Sequence, residues 1–269
     1  MNELMDINPD INVKEEEYIR LLGYPKSYQL EGRSKELAEW AREWYNKNGK
    51  PWIYAVPVSN FDISNGKLII DSVEFSSKKL LKHLKDSDSH SAMLVAVSAG
   101  EECENKAREL WDEGKPDEYF FLEVYGSAVV EHLITQIGFT FCEQGEKNGF
   151  AVLPHYSPGY PGWDIEDQYC LLKLIKRKNN LPGEISVMQT GMLNPKKSLL
   201  AVFGITKHLD KVKDLRELIP CETCCLSSCQ YRGAPLKHYR YRIEDIHKLQ
   251  PLNKKKVNLS NNANIILQS

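Results

Sequence analysis

The stretch "EISVMQTGMLNPKKSLLAVFGIT", residues 184–206, sets two apolar runs on either side of Asn194-Pro195-Lys196-Lys197. Both runs are rich in the β-branched and aromatic residues that favour strands, and the Asn-Pro pair between them marks a turn. A short turn between two strands brings them together antiparallel, since parallel neighbours need a long crossover. Upstream, "FDISNGKLIIDSVEF" (61–75) carries Asn65-Gly66 between apolar runs, a strong hairpin signal. "PWIYAVPV" (51–58) and "SAMLVAVSAG" (91–100) read as further strands, the second apolar enough to be buried.

Helical patterns are scattered among these strands. Leu37, Trp40, Ala41 and Trp44 form one stripe in a helix that starts near Ser34 and ends at Gly49, ahead of Pro51. The first fifty residues read as helical throughout. "SSKKLLKHLKD" (76–86) begins with a capping serine, and "EECENKARELWDEGK" (101–115) precedes a long apolar helix over 116–139. "DIEDQYCLLKLIKRK" (164–178) has acids first and bases last, in keeping with the helix dipole. Strands and helices do not strictly alternate. The expected fold is therefore α+β, a mixed and largely antiparallel twisted sheet with flanking helices. Residues 1–240 form a single expected domain. The final stretch, 241–269, loses periodicity and reads as a basic, loosely packed tail.

Length and charge narrow the function. A chain of 269 residues can bury a substantial core. A formal net charge of −2 makes no general electrostatic case for nucleic acid. No apolar run is long enough to span a bilayer, and "MNELMDINPD" lacks the basic and apolar regions of a signal peptide. Seven cysteines, an odd number, fit scattered thiols in a reducing compartment. The expected setting is cytoplasmic, with no membrane or nucleic-acid partner.

The densest local signal is "HYSPGYPGWD", His155–Asp164. Ser157-Pro158-Gly159-Tyr160 is a turn with a mechanism: Pro presets φ at the second position and Gly accepts positive φ at the third. As plain architecture it is a connector. As a site, Gly159 lets a ligand approach the backbone, while Tyr160 and Trp163 offer flat apolar walls.

The order of features around this loop resembles the activation domain of cobalamin-dependent methionine synthase, in its stand-alone form. That family carries an Arg-x-x-Pro-Gly-Tyr motif, a helix, then a strand-turn-strand. Here the motif reads His155-Tyr156-Ser157-Pro158-Gly159-Tyr160, followed by the segment from Asp164 and by "ISVMQTGMLNP" (185–195). "SAMLVAVSAGEECENKARELW" and "YGSAVVEHLI" upstream are similar to family elements too, so the likeness covers most of residues 14–232 in patches. The resemblance implies S-adenosylmethionine (SAM) as the ligand. It implies His155, Ser157, Pro158, Gly159 and Tyr160 as binding residues, with backbone contacts from Leu199 and Leu200. It also implies an accessory role in which a corrinoid protein and a reductant protein act in trans. There an oxidised cobalt centre takes one electron and is trapped by methyl transfer from SAM. Cobalamin would then reside only on the partner, and any enzymatic role of this chain would be as the reactivation component of the methyltransferase. The sequence departs from the family at His155, which stands where the carboxylate-binding Arg belongs; a histidine has fewer donors and is only partly charged near neutrality. Gln189 stands where the family tends to have Glu.

Other motifs are weighed against this reading. "DSDSH" (86–90) superficially matches a cobalamin-ligand motif, but Met93 occupies its required glycine position. "VSAGEE" has one glycine and cradles no phosphate. Glu131 and His132 on the long helix read equally as structural polar residues. Cys221, Cys224, Cys225 and Cys229 fall within nine residues, with C-x-x-C spacing that suits zinc or an iron–sulfur cluster. Cys225 or His238 could complete a zinc set, and a cysteine-rich turn or redox-labile pair is the other reading. The alternative function is a metal-binding or redox module that has lost SAM. Between Tyr231 and Lys256 eight Lys/Arg face two acids, a solvated surface or a docking face for an acidic partner.

Overall fold

The computed structural model describes residues 1–24, 28–58, 60–63, 65–177, 181–213 and 215. The four clustered cysteines, His238, the basic stretch and the 241–269 segment lie outside the described residues. Three strands form the middle of the principal sheet: β2 (Trp52–Pro57), β6 (Ser91–Ser98) and β10 (Ser198–Thr206). The sheet order is β1-β2-β6-β10-β7, with β1 at Leu4–Asp6 and β7 at Ala151–Val152. Every pairing is antiparallel, Val95 lying opposite both Ala55 and Ala201. The α+β expectation matches this architecture.

Apolar residues fill both faces of these strands, which is why they read as continuous runs rather than alternating ones. Ile53, Ala55, Met93, Val95, Val97, Ala201, Phe203 and Ile205 point into one core. That core is closed by α1 (Glu15–Leu21), α2 (Gly32–Asn48), α4 (Glu101–Asp112) and α5 (Pro116–Asn148). Trp52, Tyr54, Leu94, Ala96, Leu200 and Val202 point into the other. There they meet α3 (Lys78–Asp86), α6 (Gln168–Ile175) and a small sheet of β3 (Phe61–Asp62), β4 (Leu68–Ile70) and β5 (Val73–Phe75). None of the described helices is long and apolar enough to cross a membrane.

Local chemistry explains the boundaries. Asn65 and Gly66 both have positive φ, the backbone that a tight primed hairpin turn between β3 and β4 requires. A second such turn follows at Asp71-Ser72, φ 46° and 69°, between Ile70 and Val73. No glycine announces it in the sequence. Ser77 caps α3 by accepting the Leu80 N–H at 3.1 Å. The central helix α5 runs nine residues past its expected end at Phe139, because Phe141, Cys142 and Gly145 continue the buried stripe. It stops at Gly149, which is left-handed.

Two expectations need correction. The N-terminal fifty residues are not wholly helical, since Leu4–Asp6 adds an edge strand to β2. Three residues are too few to show a strand period. The run 184–193 is not one strand either. Only Ser186–Val187 (β8) and Leu193–Asn194 (β9) pair, around a tight turn in which the Gly191 N–H donates to Met188 O and Gly191 has φ +80°. The segment from Asp164 also enters its helix through a 3-10 turn at Ile165–Asp167.

The first core is organised by tyrosines. Tyr18 and Tyr125 meet edge-on at 5.0 Å, and Tyr45 tilts against Tyr125 at 5.6 Å. The Tyr45 hydroxyl donates to Ala99 O at 2.6 Å, tying α2 to the end of β6. Desolvation holds the Tyr18 and Tyr45 phenols far above their ordinary pKa. Tyr45→Phe leaves the buried Ala99 carbonyl without this donor, and is expected to cost about 1–3 kcal/mol in denaturant unfolding. An unchanged midpoint would show that the hydroxyl contributes nothing to the α2–β6 junction.

Candidate functional site

The loop that follows β7 is built from two consecutive Pro-Gly turns. The Tyr160 N–H donates to Ser157 O and the Trp163 N–H to Tyr160 O, at 3.1 and 2.9 Å. Gly159 and Gly162, at the third position of each turn, have φ +91° and +86°. Prolines 158 and 161 stand at the second positions, so both turns have the type II pattern. The sequence reading found the first turn and missed the second, which has the same signature.

The aromatic side chains anchor this loop rather than all facing a ligand. Trp163 is buried, stacks parallel to Tyr156 at 6.1 Å and meets Phe75 edge-on at 5.8 Å. Its indole N–H donates to Asp167 Oδ2 at 2.7 Å, and the same oxygen accepts from the Ser76 N–H and hydroxyl, both at 2.9 Å. The Ser77 hydroxyl donates to Gly162 O. Lys79 Nζ lies 5.4 Å from the Tyr156 ring centroid, a cation–π contact. Trp163 is therefore a structural anchor, while Tyr160, half-buried, remains beside the open side of the loop.

What the loop seats against is the edge of β10. Tyr156 and Val202 exchange backbone hydrogen bonds at 3.0 and 2.9 Å, and the Leu153 N–H donates to Gly204 O. Antiparallel strands turn their polar groups alternately to one side and the other. Leu200, two residues before Val202, thus presents its N–H and C=O to the same side, where β7 and the loop pair only with later residues. Leu199 turns its groups the other way, to Val97 of β6. Of the two strand positions expected to make backbone contacts, Leu199 turns its groups to β6, while Leu200, itself buried, has no strand partner on the loop side among the described residues.

His155 lies on the α5 side of the sheet. Its ring packs on Phe203 at 5.6 Å, and its Nε2 is 3.2 Å from the Tyr160 hydroxyl. Burial alone pulls its pKa down to about 4, so the imidazole is neutral at pH 7. Tyr160 is pushed up by burial, with the Glu131 carboxylate adding to the rise and the Ser157 hydroxyl opposing it. The Ser157 Oγ is buried and makes no well-aligned hydrogen bond, although it lies near enough to act on Tyr160. Pro158 is buried and Gly159 exposed.

Glu131 is the residue the sequence left undecided. A Cβ on Gly126 would stand 3.1 Å from Lys197 Cγ, and one on Gly138 would stand 3.3 Å from Phe203 Cε1. Helix α5 and strand β10 therefore run alongside each other, about 18 Å of helix matching about 20 Å of strand. Glu131, five residues beyond Gly126, is about 7.5 Å along the helix and so level with Leu199–Leu200. It is also two turns from Gly138 on one stripe. The carboxylate is open to solvent, yet burial raises its pKa, Glu17 adding to the rise and Arg20 opposing it. His132 is structural: its Nε2 accepts the Asn12 N–H at 3.3 Å.

The remaining sequence candidates lie elsewhere. Gln189 is exposed at the tip of the β8–β9 hairpin. Among the described residues no group of three or more His, Cys, Asp or Glu could hold a metal. Cys103 and Cys142 are buried thiols, and Cys103 is pushed up to about 12 by burial. Two surface clefts, of about 250 and 430 Å³, are lined by Glu104, Arg108, Trp111, Tyr119 and Lys196, and by residues of α1, α2 and the segment between them. Neither includes a loop residue.

The depressed His155 pKa has a consequence for stability. The unfolded chain takes up a proton near pH 6.5 that the folded state refuses until about pH 4, so stability falls as pH drops through that window. His155→Gln should flatten the pH dependence of the melting temperature between pH 6.5 and 4. An equally steep dependence in the variant would mean His155 is not held neutral.

No family model matches the chain, and no curated protein matches it in sequence. Among solved structures it is similar to a crystal structure of the MetH reactivation domain bound to AdoHcy, with TM-score 0.49 and 11% sequence identity. The match covers 66% of this chain and 66% of that one. A likeness at this level says nothing about what this chain binds.

Proposed function

We propose that the chain is a SAM-binding accessory protein for reductive reactivation of a corrinoid-dependent methyltransferase such as methionine synthase. The corrinoid protein and the reductant would be supplied in trans. The observation that carries the reading is the way the first Pro-Gly turn is seated on β10. The turn brings the side chains of His155, Ser157 and Tyr160 to the side of β10 toward which Leu200 turns its backbone groups. These are the loop and strand that the sequence resemblance marks for SAM.

The residues fit such a ligand by their chemistry. The buried, unpaired Ser157 Oγ lacks a partner that a polar ligand group would supply. Gly159 offers backbone unshielded by a Cβ, and Leu200 offers a donor and an acceptor of the kind an adenine edge or an amino-acid end uses. Tyr160 supplies the flat wall. SAM, when bound, provides an electrophilic methyl group. The chain's own part is to hold and orient that group, with its far side open to the partner, because displacement at carbon needs in-line approach. His155, neutral, serves as a hydrogen-bond partner for Tyr160 and fixes the phenol, which differs from the cationic role of the family's Arg.

Calorimetric titration should detect SAM binding to the purified protein. Tyr160→Ala is expected to weaken it by about 1–3 kcal/mol, the scale of a lost aromatic contact. With a cob(II)alamin-loaded corrinoid protein, a low-potential reductant and SAM, the cobalt spectrum should convert to the methylated form faster when this chain is present. Conversion at the same rate without the chain would rule out the accessory role, and absence of SAM binding would rule out the site.

A further inference from the structure

The smaller of the two clefts, about 250 Å³, lies where α4 turns into α5 and is lined by Glu104, Arg108, Trp111, Tyr119 and Lys196. Sequence spacing builds its main wall. Cys103, Ala107 and Leu110 form the buried stripe of α4, so Glu104, Arg108 and Trp111, at i, i+4 and i+7, share the adjoining stripe. Gly114, left-handed at φ +71°, ends that helix: its N–H donates to Trp111 O, and the Lys115 N–H donates to Leu110 O. The reversal brings Tyr119, in the first turn of α5, edge-on against Trp111 at 5.1 Å. Glu104 ties in the third side. Its side chain is 13% exposed, and its Oε2 accepts the Lys196 N–H at 2.7 Å, fixing the turn before β10.

Two side chains of the cleft stand well out in solvent. The Trp111 ring, held at its edge by Tyr119, is 61% exposed. The Arg108 side chain is 67% exposed, and its guanidinium lies 3.7 Å from Glu104, whose other oxygen is taken by the Lys196 amide. Lys196 Nζ shares the Glu123 carboxylate with Lys197, at 3.2 and 3.1 Å, so one carboxylate serves two ammonium groups. A flat apolar face with a guanidinium one turn away suits a planar ring that carries an anion. The ring stacks on the indole, and the guanidinium fork donates two parallel hydrogen bonds to the anion. We propose that this cleft binds a nucleoside monophosphate, with its base on Trp111 and its phosphate on Arg108 and Lys196. The volume is at the small end of ligand sites, which suits one base and one phosphate rather than a dinucleotide. The proposal does not rest on the SAM reading, because SAM carries no phosphate and the loop at 157–160 is no part of this cleft.

The test is an NMR titration of the full-length chain that follows the indole N–H resonances, with Trp111 assigned by its loss in Trp111→Ala. AMP should shift the Trp111 resonance to saturation. Adenosine should bind about tenfold or more weakly than AMP, and inorganic phosphate more weakly still. Trp111→Ala and Arg108→Gln change exposed side chains, so the melting temperature should hold in both. AMP affinity, read by calorimetry, should fall at least about fivefold in Trp111→Ala. In Arg108→Gln it should fall about tenfold, and the residual binding should depend less on salt. Four results would each overturn the proposal: no AMP-induced shift at Trp111, equal binding of AMP and adenosine, phosphate binding as tightly as AMP, or AMP affinity unchanged in both variants. Shifts centred on Gly159 and Tyr160 would assign the nucleotide to the loop and overturn it as well. A failure of SAM to bind overturns the SAM reading and leaves this proposal standing.

Discussion

The exchange of backbone hydrogen bonds between Tyr156 and Val202 fixes the geometry of the whole site. It pins the loop to β10 at one residue, and the alternation of the strand then dictates the rest. Gly204 is taken by Leu153 and Val202 by Tyr156, and Leu200 has no partner on that side among the described residues. Shifting the pairing by one residue would turn Leu200's polar groups toward β6 and expose those of Leu199 instead. The side chains enforce the register. Phe203 must enter the core under α5, where it meets Phe141 edge-on at 5.3 Å, while Val202 packs on the opposite face. A buried aromatic on one face thus decides which backbone amide is available at the site.

Much of this was legible in the sequence, and the parts that were not share a reason. The buried strands, the capped helix at Ser77, the Asn65-Gly66 hairpin and the Pro-Gly turn at 157–160 all follow from local rules about φ, donors and apolar period. The hairpin turn at Asp71-Ser72 uses residues that tolerate positive φ without advertising it. The β8–β9 pair was misread as one strand because its apolar residues continue through the turn. Glu131 could not be assigned from its own neighbourhood in the chain. Its place beside Tyr160 depends on α5 lying along β10, a contact between residues far apart in sequence. Leu199 and Leu200 were named together, and only the hydrogen-bond parity of the ladder separates them.

The electrostatics complete the picture. A histidine at position 155 does not act as a weaker arginine, because burial against Phe203 keeps it neutral at physiological pH. Among the described residues, the Glu131 carboxylate on α5 is the charged group that raises the Tyr160 phenol. The aromatic residues of the loop divide between two tasks: Tyr156 and Trp163 hold it to the second core, and Tyr160 is left half-buried with its hydroxyl on His155. Asp167, accepting three hydrogen bonds on one oxygen, links that anchoring to β5–α3 and to the start of α6.

The central claim is that the open edge of β10 and the first Pro-Gly turn together receive the ligand. Backbone amide resonances followed by NMR during a SAM titration test it most directly. The account predicts that the largest shifts fall on Leu200, Gly159 and Tyr160, with Leu199 and the residues of α2 and α4 little moved. Shifts concentrated instead on Arg108, Trp111 and Tyr119, or on Tyr28 and Ala38, would place the ligand in one of the two other clefts and contradict it.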